Sequence, residues 1–127
     1  MPHEPVQTPA APTPVGPYSQ AVVAGDTVYV SGQGPIDPAT GQLVLGTFEE
    51  QAILTFANVR AILQAAGCTL SDVVKVNVYL ADLSDFAAMN EIYRRVFSPP
   101  YPARATVGAH LLFHTAIEVE CVAVRPS

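Results

Sequence analysis

The chain has 127 residues, half of them hydrophobic and only 13% charged, with a formal net charge of -5. That length fits a single domain with a core of its own. The acidic balance, with Arg94-Arg95 as the only adjacent basic pair, disfavours a nucleic-acid partner, which needs a Lys/Arg patch. So low a charge density in a small domain points to a surface partly hidden in a permanent oligomer.

Residues 1–14 hold five of the twelve prolines and read as an extended, poorly ordered arm, followed by one domain over 15–127. Structure begins around Gly16-Pro17-Tyr18. Ser19 to Val23 is a short strand candidate, Ala24-Gly25-Asp26 a turn, and Thr27 to Ser31 a returning strand broken by Gly32-Gln33-Gly34-Pro35. Asp37 to Gly41 is a further turn cluster. Thr47 and Glu50 then form a capping-box pattern ahead of a helix. Its stripe is Ala52, Phe56, Val59, Ile62, Leu63 and Ala66, and Gly67 is its left-handed stop.

Val73 to Leu80 is rich in β-branched residues and reads as a mostly buried strand. Ser84 is the expected cap of a second helix with Phe86, Met89, Ile92, Tyr93, Val96 and Phe97 along its apolar face. Ser98-Pro99-Pro100 ends that helix. The last strands run roughly from Ala105 to Leu111 and from Thr115 to Val124. This order predicts a mixed sheet with both helices on one face, which leaves the other face apolar and uncovered. A second copy of the chain is the simplest cover.

Cys68 and Cys121 have no motif spacing and read as buried free thiols. No signal-peptide pattern is visible and no apolar run approaches the ~20 residues that cross a bilayer, so a cytoplasmic location is expected. No glycine-rich phosphate loop or G-x-S-x-G elbow occurs. His110 and His114 sit four apart across a presumed strand and turn, where they do not converge as on a helix, so no metal site is expected.

The remaining candidates are polar residues at strand ends. Arg104 is one of six Lys/Arg residues and lies in an otherwise apolar strand. Glu118 opens the last strand, Ser31 ends an earlier one, Asn90 lies on the second helix, and Tyr18 precedes the first strand. Arg104 and Glu118 on facing strands make either a structural ion pair or a small-molecule site, a cation for a carboxylate beside a base for a water. Residue chemistry leaves both open.

The ordered segments Gly16-Pro17-Tyr18-Ser19-Gln20, Val30-Ser31-Gly32-Gln33, Lys75-Val76-Asn77-Val78-Tyr79-Leu80, Phe86 with Met89-Asn90, Tyr101-Pro102-Ala103-Arg104 and Ile117-Glu118-Val119-Glu120 together resemble the RidA/YjgF family. The likeness runs from about Gly16 to Arg125. It implies an α+β, chorismate-mutase-like subunit with a mixed six-stranded sheet and two helices on one face. It also implies a barrel-cored homotrimer with sites in the clefts between subunits.

The activity implied is hydrolysis of reactive enamines and imines, of the 2-aminoacrylate/2-iminopropanoate type, to 2-keto acids and ammonia, with no cofactor. By that resemblance Arg104 clamps the substrate carboxylate and Glu118 orients the water. Tyr18, Ser31, Gly32, Asn90 and Thr106 line the pocket. Two features depart from the pattern: Thr106 stands where archetypal members often carry cysteine, and Leu111-Leu112-Phe113-His114 replaces a Leu-Pro turn. The alternatives are a specialised enzyme acting on a larger enamine or related labile acid, and a non-catalytic carboxylate-binding or regulatory trimer.

Overall fold

In the computed structural model, which describes residues 3–127, six strands and two helices succeed one another along the chain. The strands are β1 (Glu4–Val6), β2 (Ala21–Ala24), β3 (Thr27–Gln33), β4 (Val73–Leu80), β5 (Ala103–Gly108) and β6 (Ile117–Val124). The helices are α1 (Phe48–Ala65) and α2 (Phe86–Val96). The sheet order is β1-β2-β3-β6-β4-β5. Only β4 and β5 run parallel, joined through α2; every other neighbouring pair is antiparallel. This is the expected α+β architecture, a mixed six-stranded sheet with two helices.

Period-two alternation sorts the residues of each strand between two faces. Ile117, Val119, Cys121 and Ala123 on β6 are buried, as are Val76, Val78 and Leu80 on β4. They pack with Phe56, Val59, Ile62 and Leu63 of α1 and Met89 and Ile92 of α2 in one core. Full burial of each Val, Leu, Ile, Phe or Met among them is worth roughly 1.5–3 kcal/mol. The intervening residues point the other way, where Tyr29, Val107 and Val124 stand exposed. The uncovered face anticipated from the element order is therefore present, but it is mixed and not simply apolar, since Lys75, Asn77, Glu118 and Glu120 alternate onto it as well.

Helix α1 begins as its sequence predicts: Thr47 Oγ1 accepts from the Glu50 N–H, and Glu50 Oε1 accepts from the Thr47 N–H. It ends before Gly67, whose φ of 83° is left-handed. Gln51 ties its first turn to both flanks, donating to the Gly46 carbonyl and accepting from the Ala116 N–H. Asn58, buried, donates to the Gly34 and Ile36 carbonyls and so fixes the segment after β3.

Several expectations are corrected. Met1 and Pro2 lie outside the described residues, but the segment from His3 to Pro14 is no loose arm. Glu4 to Val6 pair with Val23 to Ala21 as the sixth strand. The buried Gln20 side chain staples the residues after β1, donating to the Thr8, Ala11 and Pro12 carbonyls and accepting from the Thr8 N–H. Strand β3 runs through Ser31 and Gly32 to Gln33, with a register shift against β6 rather than a break. Ser84 does not cap α2: Asp82 accepts from the Ser84 N–H and caps a 3₁₀ turn that leads into the helix. Strand β5 starts at Ala103 and stops at Gly108. The loop after it makes a 3₁₀ turn over Leu112–His114, with Phe113 and His114 at φ near 60°.

Candidate active site

Arg104 is carried by β5 opposite Val76, and therefore shares the helix-covered face of the sheet. Its guanidinium carbon lies 4.7 Å from the centre of the Tyr93 ring and 5.7 Å from that of Phe86, both on α2. Nη1 is 4.0 Å from Met89 Sδ. Among the described residues the ion pairs are Arg94–Glu91 and Arg95–Glu49, so no carboxylate neutralises Arg104. It opens into a cavity of about 430 Å³ shared with Asn90, Tyr93, Arg94, Tyr101 and Pro102. Thr106, two residues further along β5, lies on the same face, and its hydroxyl is buried without a partner.

Glu118 is on the other face. It sits beside Gly32 of β3, where a Cβ would fall 2.5 Å from Glu118 Oε2, so only glycine admits the carboxylate in this position. The adjacent Ser31 hydroxyl donates to the Ser19 carbonyl at 2.6 Å. Tyr18, the residue before Ser19, accepts from the Val15 N–H through its phenol oxygen. Partial burial, reinforced by the like charge of Glu120, raises the proton affinity of Glu118 above the ordinary carboxylate value. Glu120 itself accepts from the Tyr79 hydroxyl. That bond is the main reason the phenol's pKa is pushed up to about 12, so at neutral pH the hydroxyl is a fixed donor.

The expected residues thus fall into two clusters. Arg104, Asn90 and Thr106 gather along β5 and α2. Glu118, Gly32 and Ser31 gather on the open face, with Tyr18 at the chain entry to it. The premise that Arg104 and Glu118 lie on facing strands is wrong: β4 runs between β5 and β6. With two strand spacings between their backbones, about 10 Å, and opposite side-chain directions, they form no ion pair within the chain.

Sequence reasoning places Phe86 and Tyr93 on a core stripe, and Phe86 and Tyr101 among the segments that carry the family resemblance, but gives none of the three a site role. The available signal is the seven-residue spacing of two aromatics on a helix that must cover an arginine-bearing strand. His110 and His114 are both exposed and, among the described residues, no group of three or more His, Cys, Asp or Glu is gathered as a metal site requires. Both thiols are free and buried, and burial pushes Cys121 up to about 12. A larger cavity of about 740 Å³ between α1 and α2 contains none of the expected site residues. No helix among the described residues is long and apolar enough to cross a membrane.

This arrangement has close counterparts. A family model described as Endoribonuclease L-PSP matches residues 8–125. The chain belongs to that family, RidA/YjgF. It is 48% identical over 126 residues to a RutC family protein of Pyrococcus abyssi, covering 98% of this chain and 99% of that one. It is 46% identical over 121 residues to the 2-iminobutanoate/2-iminopropanoate deaminase of Homo sapiens, covering 94% and 88%. Among solved structures of the RidA/YjgF fold, a putative endoribonuclease of Thermotoga maritima superposes with a TM-score of 0.94 at 46% identity, covering 98% of each chain. E. coli TdcF with bound serine superposes with a TM-score of 0.91 at 38% identity, covering 97% and 99%.

Proposed function

We propose that this RidA/YjgF protein hydrolyses small carboxylated imines and their enamine tautomers to 2-keto acids and ammonia. The observation that carries the reading is Arg104, a guanidinium facing a cavity with no acidic partner. Such a cation suits a substrate carboxylate, with charge-assisted bonds worth ~1.5–3 kcal/mol each. The deaminase relatives at 43–46% identity give the substrate class its support. The serine in TdcF is a ligand with the same carboxylate and a nitrogen on the adjacent carbon.

In this reaction an enamine first takes a proton on its terminal carbon and gives one up from its nitrogen, becoming the imine. Water oxygen then adds to the imine carbon while the nitrogen gains a proton. The resulting carbinolamine expels ammonia and leaves the keto group. Glu118 would take the water's proton and return one to the departing nitrogen, a double duty that its raised proton affinity favours. An imine carbon is already electrophilic, so these two groups suffice for the hydrolysis.

The opposite directions of Arg104 and Glu118 support a site assembled from two copies of the chain. One copy would bring Arg104, Asn90 and the Thr106 main chain, and its neighbour Glu118, Gly32, Ser31 and Tyr18. A homotrimer closing its open sheet faces into a barrel accommodates three such clefts and covers Tyr29 and Val124. Two buried free thiols accord with a reducing, cytoplasmic setting.

The test is a coupled assay in which threonine dehydratase generates 2-iminobutanoate and its decay is measured. Added protein should speed the decay, and Arg104→Ala should abolish the acceleration. Equal rates for wild type and Arg104→Ala would overturn the reading.

A further inference from the structure

Arg104 is held by aromatic rings instead of acids. Phe86, Met89 and Tyr93 occupy one stripe of α2, at spacings of three and seven that align side chains along a helix. The guanidinium lies against all three, at 5.7 Å from the Phe86 ring centre, 4.0 Å from Met89 Sδ and 4.7 Å from the Tyr93 ring centre. Tyr93 is itself clamped, with Phe97 at 4.7 Å between centroids and Phe56 edge-on at 6.0 Å. Phe86 is 44% exposed. Burial in the core is thus incomplete for Phe86, and its ring keeps a face for the Arg104 guanidinium.

A carboxylate in the place of these rings would neutralise the cation and occupy its N–H groups. Aromatic faces attract a guanidinium through their quadrupole and leave its N–H edge free. We propose that Phe86 and Tyr93 are positioning residues: they orient Arg104 and keep its charge and donors available for the substrate carboxylate. This rests on the carboxylate-clamp reading above and adds the means by which the clamp is preorganised.

The experiment measures calorimetric affinity for 2-oxobutanoate and for its uncharged amide, 2-oxobutanamide, with kcat and KM from the coupled assay. Phe86→Leu and Tyr93→Leu should each weaken binding of the acid on the order of 3- to 30-fold. KM should rise while kcat changes less, and amide affinity should hold. Tyr93→Phe, which keeps the ring, should bind the acid as wild type does.

Unchanged acid affinity in Phe86→Leu would overturn the proposal, as would parallel loss for acid and amide. Should Tyr93→Leu fail to fold, the half-exposed Phe86 still decides. Arg104→Ala, run alongside, separates the two ideas. If it loses the acid while Phe86→Leu does not, only the positioning role falls. If it keeps the acid, the clamp falls as well.

Discussion

Gly32 and Glu118 show how one missing side chain can hold a functional geometry. The obstacle to a Cβ at Gly32 is the end of the Glu118 side chain, 2.5 Å away, and not backbone. A carboxylate can swing aside at little cost to the fold. Gly32→Ala should therefore change stability by less than about 1 kcal/mol, yet lower turnover about 100-fold if the carboxylate moves by about 1 Å. Melting curves and the coupled assay, taken together, check this; a large loss of both would place the role of Gly32 in folding. Glu118 also predicts a pH signature. Its proton affinity is raised in the folded chain, chiefly by burial and then by Glu120, so the acid limb of kcat/KM should lie above the ordinary value of 4.5. The stability sign is opposite to that of a paired carboxylate. A group that binds its proton more tightly when folded disfavours folding once pH rises from its unfolded pKa through its folded one. Glu118→Gln should accordingly lose turnover while melting no lower, and by this effect slightly higher, than wild type at pH 7. That advantage should vanish at pH 3, where both forms are neutral. A lower melting temperature at pH 7 would show that the charged Glu118 is stabilising.

How far each element can be read from its residues depends on the range of the interactions that make it. Helix α1 is legible throughout, because its capping box, apolar stripe and Gly67 stop are local signals, and all three are realised. The entry to α2 differs from expectation because Asp82, another capping type, starts a 3₁₀ turn there, and the helix itself begins one residue later than a Ser84 cap implies, with Asp85 at its N-cap. Strand β1 is hidden: a three-residue segment containing proline has little strand propensity, and the residues after it are ordered by a side chain far along the chain, Gln20. Among the site residues, the polar positions are visible as exceptions within apolar strands. Their grouping is not. Alternation assigns a residue to a face, but whether β5 neighbours β6 depends on the crossover through α2, which sets β5 against β4 on the sheet's edge. The aromatic support of Arg104 is obscured for a related reason, because Phe86 and Tyr93 satisfy the pattern of an ordinary core stripe until the strand beneath them is known.

For the whole molecule, the division of Arg104 and Glu118 between opposite faces predicts complementation. Mixing unfolded Arg104→Ala and Glu118→Gln chains and refolding them together should restore activity that neither variant has alone. With random assembly of equal amounts into closed rings, about a quarter of the clefts would combine an intact arginine with an intact glutamate. Recovery near a quarter of wild type supports shared sites; none above the sum of the variants would mean that each chain supplies both groups. The same division has a kinetic corollary. A solitary chain would be chemically silent, so specific activity should not be constant on dilution. It should collapse below the concentration at which subunits part, and return with a lag on reconcentration. Potency would then be set by how much protein is present as well as by how good each site is.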